Sequence, residues 1–173
     1  PDAAKKIEVT NLHQLARTIC IRGGWQGKVL EDTDREEIWR AVLASSLPSG
    51  LGPDLIRSEY ELVVDKMGID NEEAYLTAVR SGRPRLDRKQ RKAVWPVFLE
   101  FNRILHKRNL LTFEGLVHQA RLVVERGGFP KYRHVLVDEL QDFGLEALRL
   151  IAAISHLSAG FSDPLCVVGD GHQ

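Results

Sequence analysis

Through most of this chain apolar residues recur at three- and four-residue spacing, and in a few short stretches they run together instead. Leu12, Leu15, Ala16 and Ile19 predict a helix that Gly23-Gly24 closes, because glycine takes the left-handed backbone that ends helices without steric cost. Ahead of it, residues 7–10 are rich in β-branched side chains and predict a short strand. Asp34 with Glu37 reads as a capping box for a second helix lined by Ile38, Ala41 and Val42. Pro48, Gly50, Gly52 and Pro53 mark a loop. Leu55, Ile56, Val63 and Met67 predict the next helix, ended near Gly68. Asn71 is placed to cap another, with Ala74, Leu76 and Val79 inward. After a turn at Ser81-Gly82-Arg83-Pro84, a long helix carries Val94, Trp95, Phe98, Leu99 and Leu105. Pro96 is expected to kink or split it. No strand pattern interrupts residues 22–108, so an all-helical unit is expected there.

Beyond Asn109 the pattern alternates. Thr112 is a plausible N-cap for a helix bearing Phe113, Leu116, Val117, Ala120 and Val124, closed by Gly127-Gly128. Residues 134–138 form an apolar run that ends in acid. A helix over 144–156 follows, with Leu145, Leu148, Ile151 and Ala152 inward, and then a strand over 165–168. Apolar strands separated by a helix predict a parallel sheet covered on both faces. The expected class is α/β: mostly helical, with a small parallel sheet and an all-helical insertion.

Charge changes this picture only locally. Lys and Arg number 24, as do Asp and Glu, so the total favours no partner. Yet Arg80, Arg83, Arg85, Arg88, Lys89, Arg91 and Lys92 have only Asp87 among them. Such a stretch either lies along nucleic-acid phosphates or is a solvated helix face. Trp95 and Phe98 after it sit at helical spacing and read as core. Cys20 and Cys166 lie far apart, and His106, His118, His134 and His156 have no metal-ligand spacing. With no apolar run of membrane-spanning length and no secretory signal, a soluble cytoplasmic protein without membrane partners is expected.

The candidate chemistry sits where the strands end. Open parallel sheets hold their active sites at the carboxyl ends of strands. There Asp138 and Glu139 suit nucleotide hydrolysis, one holding Mg²⁺ through its water shell and the other polarising an attacking water. The following strand ends in another polar group, Gly169-Asp170-Gly171-His172-Gln173.

These segments carry a resemblance. Residues 135–142 (Val-Leu-Val-Asp-Glu-Leu-Gln-Asp) resemble motif II, the Walker B element, of UvrD/Rep-type superfamily-1 DNA helicases, and residues 167–173 resemble the start of their motif III. Leu111-Thr112-Phe113-Glu114-Gly115-Leu116 is similar to the helix opening that precedes motif II. Asn11-Leu12-His13-Gln14-Leu15-Ala16 resembles the family's early DNA-contacting motif, and residues 82–95 look like its helical insertion.

The resemblance implies a partial RecA-like (P-loop NTPase) motor domain 1A over 1–21 and 109–173, with a 1B-like insertion over 22–108. It implies ATP and Mg²⁺ as cofactors. Single-stranded and duplex DNA, and the remaining helicase domains of the same chain, are the partners. The activity is ATP-driven translocation and unwinding, 3′ to 5′, of the kind used in DNA repair. Asp138 would coordinate Mg²⁺, Glu139 activate water and Gln173 sense the γ-phosphate, with Asp170 beside it. Gln141 and Asp142 would couple the nucleotide site to neighbouring motifs. His13 and Asn11 would touch DNA, as would Arg83, Arg85, Arg88, Lys89, Arg91 and Lys92.

Asn11 stands where the family often has Thr, and Gly171 where a second acid is common. The sequence holds no Gly-x-x-x-x-Gly-Lys-Ser/Thr loop to cradle phosphates. The expectation is therefore an internal fragment of a longer helicase, inactive alone, with an open sheet edge along 165–168. Two other classes remain open on the residues. A metal-dependent nuclease could use Asp138, Glu139 and Asp142. A non-catalytic DNA-binding or docking module would instead rely on residues 83–92.

Overall fold

The computed structural model describes residues 7–79, 86–155 and 164–169, without the side chain of Asp142. Helices dominate, in the order α1 (Leu12–Arg22), β1 (Lys28–Val29), α2 (Asp32–Ser46), α3 (Pro53–Glu59), α4 (Glu72–Thr77), α5 (Arg88–Lys107), β2 (Leu110–Leu111), α6 (Phe113–Glu125), β3 (Val135–Val137), α7 (Leu145–Ile154) and β4 (Leu165–Val167). The α/β class, mostly helical with small parallel sheets, is the one expected. The chain divides into two compact units. One comprises 1–25, 116–143 and 147–173; the other comprises 26–115 with 144–146.

The second unit is built on an aromatic core. Trp39 of α2 stacks on Phe101 of α5 at 4.0 Å between ring centres, and Tyr60 meets both edge-on, at 5.4 and 4.8 Å. Tyr75 of α4 stacks on Trp95 at 5.3 Å. Each such pair contributes about 0.5–1.5 kcal/mol beyond its buried area, so this cluster fixes how α2, α4 and α5 pack. Trp95 and Phe98 are buried, as their spacing predicts. Two polar groups are satisfied inside the core: the Tyr75 hydroxyl donates to Glu59 at 2.8 Å, and the Tyr60 hydroxyl to Asn102 at 2.5 Å. After α3 the helix widens into a π segment, Tyr60–Asp65, where the Lys66 N–H reaches back to the Glu61 carbonyl at 3.2 Å. Gly68, at φ +62°, then ends it.

Several local expectations change here. The unit is not free of strands: Lys28–Val29 pairs in parallel with Leu110–Leu111. Two residues carry no periodicity, so only the tertiary approach of the chain reveals them. No capping box forms at Asp34 and Glu37, because α2 starts at Asp32 behind Glu31, which makes no side-chain cap. Ala41 is exposed while Trp39 and Leu43 join the buried face. Asn71 does cap α4, accepting from the Ala74 N–H at 2.9 Å. The helix stops at Thr77, however, leaving Val79 88% exposed and Tyr75 as its buried anchor. Pro96 does not split α5, which runs for 20 residues, and Leu99 points to solvent. The turn at 81–84 lies outside the described residues.

The first unit packs α1, α6 and α7 with β3 and β4. Leu15, Ala16, Ile19 and Cys20 of α1 are buried. The Cys20 thiol donates to the Leu116 carbonyl of α6 at 3.4 Å, and burial pushes that thiol up to about 11, so it acts as a small apolar side chain. Gly23 permits the close approach of α6: a Cβ there would lie 2.5 Å from Val123. Residues 7–10 form no strand; Ile7 and Val9 are exposed, and the segment is tied down through Glu8, which accepts from the Tyr132 hydroxyl at 2.6 Å. β-branched residues without a neighbouring strand to bond with do not make one. The inward face of α7 is also rotated from the expected one. Ala147, Leu150, Ile151 and Ile154 are buried, while Leu145, Leu148 and Ala152 are not.

Candidate functional site

β3 and β4 run parallel in register, Val135 opposite Leu165, Leu136 opposite Cys166 and Val137 opposite Val167. Their carboxyl ends therefore emerge side by side, which is where an open parallel sheet presents chemistry. The ladder continues past the strands: the Val168 N–H donates to the Val137 carbonyl at 2.8 Å, and the Leu140 N–H to the Val168 carbonyl at 3.2 Å. These bonds hold the segment after β3, Asp138 to Leu140, against the segment after β4, Val168-Gly169. The sheet is not covered on both faces among the described residues, since Leu136 is 80% exposed and Val168 59%. No described strand lies beyond β4.

At this lip the backbone is bent sharply. Glu139 has φ 54° and ψ 43°, the left-handed region that costs a side-chain-bearing residue about 1–2 kcal/mol. The Asp138 carboxylate accepts from the Glu139 N–H at 2.9 Å, which steadies the bend. A 3₁₀ turn, Leu140–Asp142, follows at once. Asp138, Glu139 and Gln141 are all solvent-exposed. The Gln141 amide donates to the Glu139 carboxylate. Its carbonyl oxygen packs against Gly169 so closely that a Cβ there would lie 2.5 Å away. Gln141 thus touches Glu139 on one side and the loop after β4 on the other. The role of Gly169 was invisible in the sequence, although a glycine directly after an apolar strand is a signal of close backbone approach.

Exposed carboxylates that keep access to water are the kind of oxygen donor Mg²⁺ prefers, but among the described residues no group of three or more His, Cys, Asp or Glu is placed to hold a metal ion. Asp170 and Gln173 lie outside the described residues, as does the side chain of Asp142.

The candidate DNA contacts separate into different positions. Asn11 is the N-cap of α1, its side-chain oxygen accepting from the Gln14 N–H at 2.9 Å, so that oxygen is committed to the helix. His13 lies on the exposed face of the same helix. Arg88, Lys89 and Lys92 are exposed on the first turns of α5. Arg91 departs from the expected role. Its guanidinium donates to the Leu86 carbonyl at 3.1 Å and to the Leu76 carbonyl at 3.0 Å, so it staples the end of α4 to the start of α5. Arg83 and Arg85 lie outside the described residues.

No family model matches the chain. A stretch of 86 residues is 34% identical to DNA helicase IV of Escherichia coli (strain K12), which takes in 49% of this chain and 12% of that protein. The similarity supports a superfamily-1 helicase relationship. It supports a helicase-related function at the family level. Among the described residues no helix is long and apolar enough to cross a membrane.

Proposed function

We propose that this chain supplies the acidic half of the nucleotide site, and part of the DNA-binding surface, of an ATP-dependent DNA translocase that unwinds duplexes. The observation that carries this reading is the parallel pairing of β3 with β4, which brings Asp138-Glu139 and Val168-Gly169 to one lip. Similarity to DNA helicase IV supports it. On this reading the unit containing β3 and β4 corresponds to the partial motor domain 1A expected over 1–21 and 109–173, and the other unit to the 1B-like insertion expected over 22–108.

Asp138 would hold Mg²⁺ through its water shell. The ion, when bound with ATP, supplies charge neutralisation at the phosphates. The chain's own residues do the rest. Glu139, whose backbone N–H donates to Asp138 and whose carboxylate accepts from Gln141, would accept a proton from water. Gln141, in contact with the loop after β4, transmits that loop's position to Glu139.

Because the sequence holds no Gly-x-x-x-x-Gly-Lys-Ser/Thr loop, the 173-residue chain by itself is not expected to turn over ATP. The test is therefore made in a chain in which this segment is joined to such a loop. Glu139→Gln should lower DNA-stimulated kcat by about 100-fold or more while nucleotide binding persists, in keeping with the loss of a general base. A variant that hydrolyses ATP at the parent rate would remove Glu139 from the chemistry. DNA cleavage that needs Mg²⁺ but no nucleotide would favour the nuclease reading instead.

A further inference from the structure

We draw no further inference here: the strongest candidate, the open cleft between α6 and α7 lined by Arg121, Lys131 and Arg149, carries nothing, because Arg121 is already paired with Glu125 at 2.8 Å and no second observation among the described residues points to an anion there.

Discussion

Glu139 shows how a single residue can serve the site against its own backbone preference. In the left-handed region glycine is at ease, and a residue with Cβ is not. Glu139→Gly is therefore expected to raise stability by about 1 kcal/mol while removing the proposed base, a gain readable as a higher urea midpoint. A lower midpoint would mean that the bond from Gln141 to Glu139 outweighs the strain. Gly169 makes the complementary case. In Gly169→Ala the new methyl crowds the movable end of Gln141, at 2.5 Å, and reaches the Leu140 nitrogen only at an ordinary 3.5 Å, so the fold should lose little, under about 1 kcal/mol. Gln141, however, must turn away from Glu139, and the ATPase of a chain that joins this segment to a phosphate-binding loop should fall; with Gln141→Ala it should fall equally, and not further when the two are combined. The acidic pair was legible in the sequence because it follows an apolar run. The left-handed turn and the Gln141–Gly169 contact were not, because they arise only when two distant segments meet.

At the scale of elements, spacing located nearly every helix but assigned the faces less well. In α7 apolar residues lie almost all round, so the three- and four-residue rule admits several phases, and packing selected Leu150 and Ile154 over Leu145 and Leu148. A helix of stronger polar contrast, α5, was read correctly at Trp95 and Phe98. Pro96 lies exposed within that helix and offers no N–H to the turn before it. Pro96→Ala should restore that bond at little packing cost and raise stability by about 2 kcal/mol, visible in the unfolding midpoint. The π segment, which no periodicity signals, governs pH behaviour through Asp65. With its folded carboxyl raised from 3.8 to about 6, the folded state binds the proton more tightly than the unfolded chain. This stabilisation is complete below about pH 4 and is lost as pH rises through about 6. Its size is at most about 3 kcal/mol, less where water reaches the half-exposed carboxylate. Asp65→Asn should therefore be more stable than the parent at pH 7.5, with the difference vanishing near pH 4.

For the molecule as a whole, zero net charge conceals a polarised surface. The first two turns of α5 carry Arg88, Lys89, Arg91 and Lys92 and no acid. Cations at the positive end of a helix dipole each cost about 0.3–1 kcal/mol, and the helix tolerates them because Asp87 and Gln90 form a full capping box. A composition unfavourable to the helix calls for another reason, and DNA phosphates supply one. The structure divides the labour among these residues in a way the sequence could not, because Arg91 looks identical to its neighbours until its carbonyl partners are known. If the exposed three bind phosphates, Arg88→Ala, Lys89→Ala and Lys92→Ala together should lower affinity of the chain for single-stranded DNA. They should also reduce the slope of log affinity against log salt by roughly 2, about 0.7 for each contact. Arg91→Ala should leave that slope unchanged and instead cost about 1–3 kcal/mol of stability, because the Leu76 and Leu86 carbonyls lose their donor. Measuring binding at several salt concentrations beside urea unfolding separates the two effects. A triple variant with an unaltered slope would mean that these cations are only a solvated helix face, and would move the DNA-binding surface away from α5.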